Sequence, residues 1–267
     1  MAIASMSIKE IGDKLTLAGR LKIRPVCVYG SDAVPETAVP MNQISSCVAR
    51  SILNLAVYPK LPPIYISKDT LEGCCGGGQA WFGFHGFAPH IKYFISSGTK
   101  EFRKGAAEYL RASPETAEQN IEKIGKITPP GKYLVMRACS DLIGEDPGVR
   151  SVLCFGVGEQ IRNMCALVHY RVVDPFHAII VPQGASCASF VTYAAGMAEK
   201  APKDAVVLGP CDPTGNSWFP EDHLSMAIPI KVARRMADDL EESFIAKRPH
   251  IAYPEKRMKV KARSLLR

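Results

Sequence analysis

The chain has 267 residues, of which 47% are hydrophobic and 22% are charged, so it can bury a large core and is not a globally disordered protein. No apolar run approaches the roughly 20 residues of a membrane-spanning helix, and the first residues lack a basic segment followed by an apolar one. We therefore expect a cytoplasmic protein with no secretory leader, and no contact with a membrane.

Helix-like and strand-like segments alternate in the first half of the chain. Apolar spacing predicts helices over 7–21 and 42–56, and β-branched or aromatic runs predict strands over 24–29 and 63–67. A glycine-rich turn then leads into an aromatic segment. A Ser-Pro-Glu helix start at 113–115 indicates helical structure over 91–125. We assign residues 88–130 to an inserted helical segment.

The second half repeats the alternation. It contains four short predicted strands and three predicted helices, at 133–136, 152–155, 178–181 and 205–208, and at about 158–170, 186–199 and 230–246. The pattern predicts an α/β fold with a mixed, partly parallel sheet flanked by helices. Residues 1–253 form one domain, or two closely packed lobes over 1–130 and 131–253.

Much of the net charge of +7 lies in a basic tail over 254–267, where six Lys and Arg side chains accompany one Glu. A tail of this kind can be solvated, or can contact nucleic acid, an acidic partner or a second copy in a homo-oligomer. No aromatic residues are interleaved with the basic ones, and no zinc-finger spacing is present. We therefore do not expect nucleic-acid binding.

The chain contains nine cysteines, an odd number that fits a complete set of disulfides poorly. Cytosolic thiols stay reduced, so these residues are expected to be core residues, nucleophiles or metal ligands. Four of them follow a predicted strand or loop, at a turn or helix start: Cys47, Cys74, Cys187 and Cys211. Cys75 is adjacent to Cys74 and can replace it.

Helix starts favour the thiolate form of cysteine, which is the form that binds metal. Four thiolates that converge from separate loops would hold a [4Fe–4S] cluster, or a structural Zn²⁺ ion. The chain lacks the close Cys-x-x-Cys spacing typical of such sites. The alternative is that these thiols are small buried apolar groups, as most free cysteines are.

Several short segments, taken in order, resemble the prokaryotic family called domain of unknown function 169 over roughly residues 15–245. They are Ser46-Cys47, Cys74-Cys75-Gly76 followed by Gly83, the turn at Cys187, Leu208-Gly209-Pro210-Cys211, Glu221-Asp222-His223 and Ile228-Pro229. The resemblance implies that the four cysteines belong to the pattern of the family, which favours a metal or cluster site. The chain departs from the family pattern at two places. It has Asp-Pro-Thr-Gly-Asn at 212–216, where the family has a Gly-Asp-Arg-like run, and Glu-Asp-His at 221–223, where the family has Asp-Asp-Glu.

Three further residues are candidates for proton transfer. A carboxylate neighbour can tune an imidazole near neutral pH, which points to Asp222 and His223. His85 lies in an aromatic-rich segment that could line an apolar pocket for a small aromatic or unsaturated substrate. Core packing and a solvated loop are the plain alternatives for these two segments.

The main hypothesis is an iron–sulfur protein that acts on a small organic substrate. It would be an oxidoreductase with an electron-transfer partner if all four cysteines hold the cluster, and of hydro-lyase type if one iron is left open. The first alternative is a structural or partner-binding protein with zinc or unliganded thiols. The second is a transferase or hydrolase with Cys187 as nucleophile, because the turn at 184–188 resembles a nucleophile elbow.

Overall fold

The structure is a computed structural model that describes residues 6–71, 74–213 and 217–255. The predicted basic tail therefore lies outside the described residues from position 256 onward. The α-helices of the described part are α1 Ile8–Gly19, α2 Val48–Val57, α3 Gly76–Trp81, α4 Ile91–Phe94, α5 Pro114–Ile124, α6 Gly158–Val168, α7 Ile230–Asp239, α8 Phe244–Lys247 and α9 Pro249–Ala252. None of them is long and apolar enough to cross a membrane.

The strands of the described residues form one eight-stranded sheet. They are β1 Val26–Ser31, β2 Val39–Pro40, β3 Ile64–Ile66, β4 Tyr133–Ala138, β5 Val149–Val157, β6 Ile179–Ile180, β7 Val206–Gly209 and β8 His223–Pro229. Their order across the sheet is β2-β3-β4-β1-β5-β8-β7-β6. The pairs at the two edges, β2 with β3 and β6 with β7, are parallel, and the other pairs are antiparallel. This confirms the predicted α/β fold with a mixed, partly parallel sheet.

Both faces of the sheet are buried, because alternate side chains of a strand point to opposite sides. In β5, Leu153 and Phe155 belong to one core, while Val152 and Cys154 belong to the other. The first core includes α2 and the segment after β6, and the second includes α1, α6 and α7. The candidate cysteines Cys74 and Cys187 are part of the first core.

Serine side chains cap the amino-terminal ends of α1 and α5. The hydroxyl of Ser7 accepts a hydrogen bond from the Glu10 N–H at 3.2 Å, and the Glu10 carboxylate accepts one from the Ser7 N–H at 2.8 Å. This reciprocal pair satisfies two N–H groups that the helix itself cannot. At α5, the Ser113 hydroxyl accepts from the Thr116 N–H at 3.2 Å, and Pro114 occupies the first helical position.

Several elements differ from the sequence predictions. The helix predicted from residue 42 begins at Val48, since the Ser45 hydroxyl accepts a hydrogen bond from the Cys47 N–H and holds the preceding backbone in a turn. The inserted segment 88–130 is only partly helical, because Gly98 and Gly105 adopt positive φ angles between α4 and α5. The helix predicted over 186–199 contains a π-helix, Ala188–Thr192.

At the carboxyl side, the helix predicted over 230–246 is divided. It ends at Asp239, and the Ser243 hydroxyl caps the short helix α8 by accepting from the Ile245 N–H at 3.3 Å. The strand β8 was not among the sequence predictions, although it lies between β5 and β7.

The two halves of the sequence share this one sheet. Strand β1, from the first half, pairs with β4 on one side and with β5 on the other, and both of these come from the second half. The sheet therefore carries residues of both halves to the same face, where the candidate site lies.

Candidate metal centre

The amino-terminal end of α2 provides hydrogen bonds to sulfur atoms from other parts of the chain. Cys47 is the N-cap residue of this helix. The N–H of Val48 lowers the pKa of the Cys74 thiol, and the N–H of Ala49 lowers the pKa of the Cys187 thiol, as donors directed at these sulfurs do. These N–H groups have no partner within the helix, and their positive end favours negative charge on sulfur.

Three sulfur atoms meet at Gly78 in α3. A Cβ atom placed on this glycine would lie 2.7 Å from Sγ of Cys74, 3.5 Å from Sγ of Cys75 and 3.8 Å from Sγ of Cys187. All three sulfurs thus lie within 4 Å of one point, and within twice that distance of one another. Glycine is the residue that leaves this space open, since any side chain would clash with Cys74.

Cys75 is the thiol of this group that ionises most readily. Its sulfur accepts a hydrogen bond from the N–H of Gly78 at 3.3 Å. A hydrogen bond with the Cys74 thiol lowers the pKa of Cys75 to about 6, and the N–H groups of Gly78 and Gly77 and the charge of Arg103 act in the same direction. Burial opposes this shift. In the metal-free protein at neutral pH, Cys75 is therefore a thiolate.

The neighbouring thiols resist ionisation. The hydrogen bond to Cys75, followed by burial, raises the pKa of Cys74 far above its ordinary value. Burial is the largest cause of the raised pKa of Cys187, and the nearby charges of Cys75 and Cys47 raise it further. Because these thiols repel each other's charge, a bound cation would reverse the repulsion and favour their ionisation.

Within the described part of the chain, the structure shows no contact of Cys211 with these thiols. Cys211 follows β7, and its sulfur contacts the carbonyl oxygen of Leu208 at 3.7 Å. Burial is the cause of its raised pKa, whereas neighbouring thiols contribute to that of Cys187. The next residue, Asp212, lines the same cavity as Cys75. Part of the loop that departs from the family pattern, 214–216, lies outside the described residues.

The structure thus brings together Cys47, Cys74, Cys75 and Cys187, whereas no contact between described residues links Cys211 to this set. We call the first four residues the thiol cluster. Within the described ranges, no three His, Cys, Asp or Glu side chains are arranged to hold a single metal ion. The thiol cluster is therefore looser than a preformed zinc site, whose ligands lie about 2.3 Å from one central ion.

A cavity of about 240 Å³ lies next to Cys75. Most of its wall is apolar and comes from α3, α4 and α5 and the segments that join them, including Trp81, Phe87 and Phe94. The sequence signal for this cavity was the aromatic segment 81–87, two residues of which line it.

The predicted proton-transfer residues lie away from the cavity wall. The imidazole Nδ1 of His223 is 2.6 Å from a carboxylate oxygen of Asp222, and this hydrogen bond lowers the pKa of Asp222. The pair stands at the start of β8, opposite Val157. His85 is exposed, and the histidine that lines the cavity is His90, whose ring stacks on that of another lining residue, Phe102, at 3.8 Å.

Comparison with known proteins places the chain in a family. The model of the family called domain of unknown function 169, described as an uncharacterised ArCR family, matches residues 14–239. The chain belongs to this family, which confirms the resemblance seen in the sequence. No curated protein and no solved structure matches the chain.

Proposed function

We propose that this protein binds an iron–sulfur cluster through Cys47, Cys74 and Cys187, with Cys75 or Cys211 as the fourth ligand. The observation that carries the proposal is the approach of the sulfurs of Cys74, Cys75 and Cys187 to one point at Gly78. This point lies beside the first turn of α2, whose N-cap residue is Cys47. Thiolate sulfur is the preferred ligand of iron–sulfur clusters and of zinc.

The chemistry of the donor set supports this function. Burying several thiols together without a cation is unfavourable, because each thiolate raises the pKa of the next. The N–H groups of Val48 and Ala49 add a fixed positive potential at two of these sulfurs. When bound, a cluster supplies electron transfer if every iron has a thiolate ligand, and a Lewis acid if one iron is open.

The cavity beside Cys75 supports an enzymatic role. It places room for a small organic molecule next to the thiol cluster, as a redox or Lewis-acid enzyme requires. In this proposal Asp222 and His223 can move a proton only if substrate or loop movement brings them closer, since neither lines the cavity.

A second candidate function is thiol chemistry at Cys75. Its pKa of about 6 and its position on the cavity wall suit a nucleophile, whereas burial keeps Cys187 in the unreactive thiol form. This observation moves the cysteine-nucleophile alternative from Cys187 to Cys75.

The test is anaerobic purification of the full chain, followed by its visible spectrum and counts of iron, sulfide and zinc. We expect a brown protein with iron and acid-labile sulfide in about equal amounts. Serine variants of Cys47, Cys74 and Cys187 should each lose most of the iron. The matched control is Cys165→Ser, a half-buried cysteine on α6, which packs against the other core.

Each other outcome has a clear meaning. Stoichiometric zinc without iron would replace the cluster by a structural metal site. A metal-free, colourless protein that is alkylated selectively at Cys75 would support the thiol function. Full iron in the Cys187→Ser variant would contradict the proposed ligand set.

A further inference from the structure

The polar part of the cavity is rich in hydrogen-bond donors. Arg111 lies behind the wall, and its Nη2 amino group donates to Oδ1 of Asn120 at 2.9 Å and to Oε1 of Gln183 at 2.6 Å. Both amide residues line the cavity. Because arginine has donors and no acceptor, it fixes each amide with its oxygen towards the guanidinium.

The NH₂ groups of these two amides are consequently left as donors. Among the residues that the structure describes, none accepts a hydrogen bond from Nδ2 of Asn120 or Nε2 of Gln183. The Nε atom of Arg111 is also buried there without a partner. A ligand with oxygen acceptors would satisfy these donors, and a ligand with further donors would not.

The wall of the cavity also contains charged side chains. Arg103 lines it, with its guanidinium carbon 4.7 Å from the ring centre of Phe94, and forms no ion pair with a described carboxylate. The two acids of the wall, Glu108 and Asp212, already have interaction partners. Arg103 therefore adds a cationic donor for the oxygen atoms of a ligand, beside the Cys75 thiolate of the same wall.

The remaining residues of the wall indicate which apolar group the ligand should carry. Aromatic rings and isoleucine side chains form it, among them Trp81, Phe87, Ile91 and Ile121. Flat apolar groups pack well against such rings. A volume of about 240 Å³ corresponds to roughly eight water molecules at ~30 Å³ each, which is the size of a single-ring or short branched compound.

From these observations we infer that the cavity binds a small organic carboxylate with an aromatic or branched apolar body. Its carboxylate accepts hydrogen bonds from donors of the set formed by Asn120, Gln183 and Arg103, and its apolar body lies against the rings. The role of this ligand as a substrate rests on the proposed cluster function, whereas its binding does not.

The experiment is calorimetric titration of the full chain, as purified, with benzoate, cinnamate and 3-methylbutanoate. Benzamide and benzylamine serve as the neutral and cationic counterparts of benzoate. We expect at least one of the three carboxylates to bind. If benzoate binds, benzamide and benzylamine should bind at least about tenfold more weakly than benzoate. If another carboxylate binds more tightly, its own amide and amine are the compounds to compare.

The variants are Gln183→Glu and Asn120→Asp. Each keeps an oxygen partner for Arg111, so the fold is retained, but replaces a donor by an anionic acceptor. Carboxylate binding should weaken about tenfold or more in each. The matched control is Gln119→Glu, an exposed position on the same helix, which should leave the affinity unchanged.

Three results would overturn the inference: no carboxylate binding up to ~10 mM, amine or amide binding as tight as that of the acid, or full carboxylate affinity in both variants. These results are independent of metal content. A metal-free protein that binds carboxylates refutes the cluster and keeps this site, and an iron–sulfur protein that binds none does the reverse.

Discussion

The backbone N–H of Ala49 lowers the pKa of the Cys187 thiol, although the two residues lie in different halves of the sequence. Ala49 is in the first turn of α2, and Cys187 precedes the π-helix Ala188–Thr192. The contact ties the start of one helix to the start of another segment through a sulfur atom. Whatever the sulfur binds will therefore affect the stability of both segments.

The first prediction concerns metal removal. A ligated thiolate accepts hydrogen bonds more strongly than a thiol, so a chelator that strips the metal should weaken the bonds from Val48 and Ala49. We expect amide hydrogen exchange at these two positions to become about tenfold faster or more, measured by mass spectrometry or NMR. The amides of α1 should be unaffected, because that helix packs against the other core. Equal acceleration in both helices would indicate general destabilisation.

The second prediction concerns Gly78. The change Gly78→Ala places a methyl group 2.7 Å from the sulfur of Cys74, and should displace this ligand and lower the free energy of unfolding by about 1–3 kcal/mol. Iron content and thermal unfolding measure the two effects. Gly77→Ala is the control in the same helix: its methyl group would meet only Trp81, at 4.0 Å, and it should keep its iron. Normal iron in Gly78→Ala would contradict the arrangement of the thiol cluster.

The third prediction concerns the pH dependence of Cys75. In the metal-free protein its pKa is lowered to about 6, so alkylation should be slow below that pH, where the thiol predominates, and should rise to a plateau above it. The rate of iodoacetamide modification at Cys75 from pH 4 to 9 gives the midpoint. Arg103→Gln removes a charge that favours the thiolate and should move the midpoint to higher pH.

The control for this charge effect is Lys104→Gln, an exposed neighbour that is not among the groups affecting Cys75. It should leave the midpoint in place. A midpoint near 9 in the unmodified chain would refute the assignment of Cys75 as the thiolate of the cluster.

The fourth prediction concerns the ion pair between Arg171 and Asp239. The carboxylate of Asp239 is buried, with 2% of its side chain exposed, while the arginine is 61% exposed. Arg171→Met leaves the buried carboxylate without this partner and should lower the free energy of unfolding by about 1–3 kcal/mol. Urea unfolding followed by circular dichroism measures the loss. Lys247→Met breaks an exposed pair with Glu242 and should cost less than about 1 kcal/mol.

The sequence predicted the elements whose signals are local. The capping box of Ser7 and Glu10 and the Ser-Pro start at 113 depend on residues within one turn, and both helices form close to the expected bounds. The sequence also predicted that Cys47, Cys74 and Cys187 lie at or near the starts of helices, because a helix start is a local feature.

The parts that were missed depend on tertiary contacts. Strand β8 carries polar Ser225 and ends in Pro229, and becomes a strand because it pairs with β5 and β7. The convergence of the sulfurs on Gly78 joins the segment 74–78 to Cys187, which is remote in sequence, and has no signature in spacing. The orientation of the Asn120 and Gln183 amide groups is fixed by Arg111, which is remote in sequence from Gln183.

The position of β1 between β4 and β5 limits when the thiol cluster can form during synthesis of the chain. Chains are made from the amino terminus, so Cys47, Cys74 and Cys75 leave the ribosome well before Cys187. Until β4 and β5 follow, the first half has no neighbours for β1 in the sheet. In a newly made chain three of these cysteines are therefore present before the fourth, and the metal site that we propose can be completed only after Cys187 has emerged.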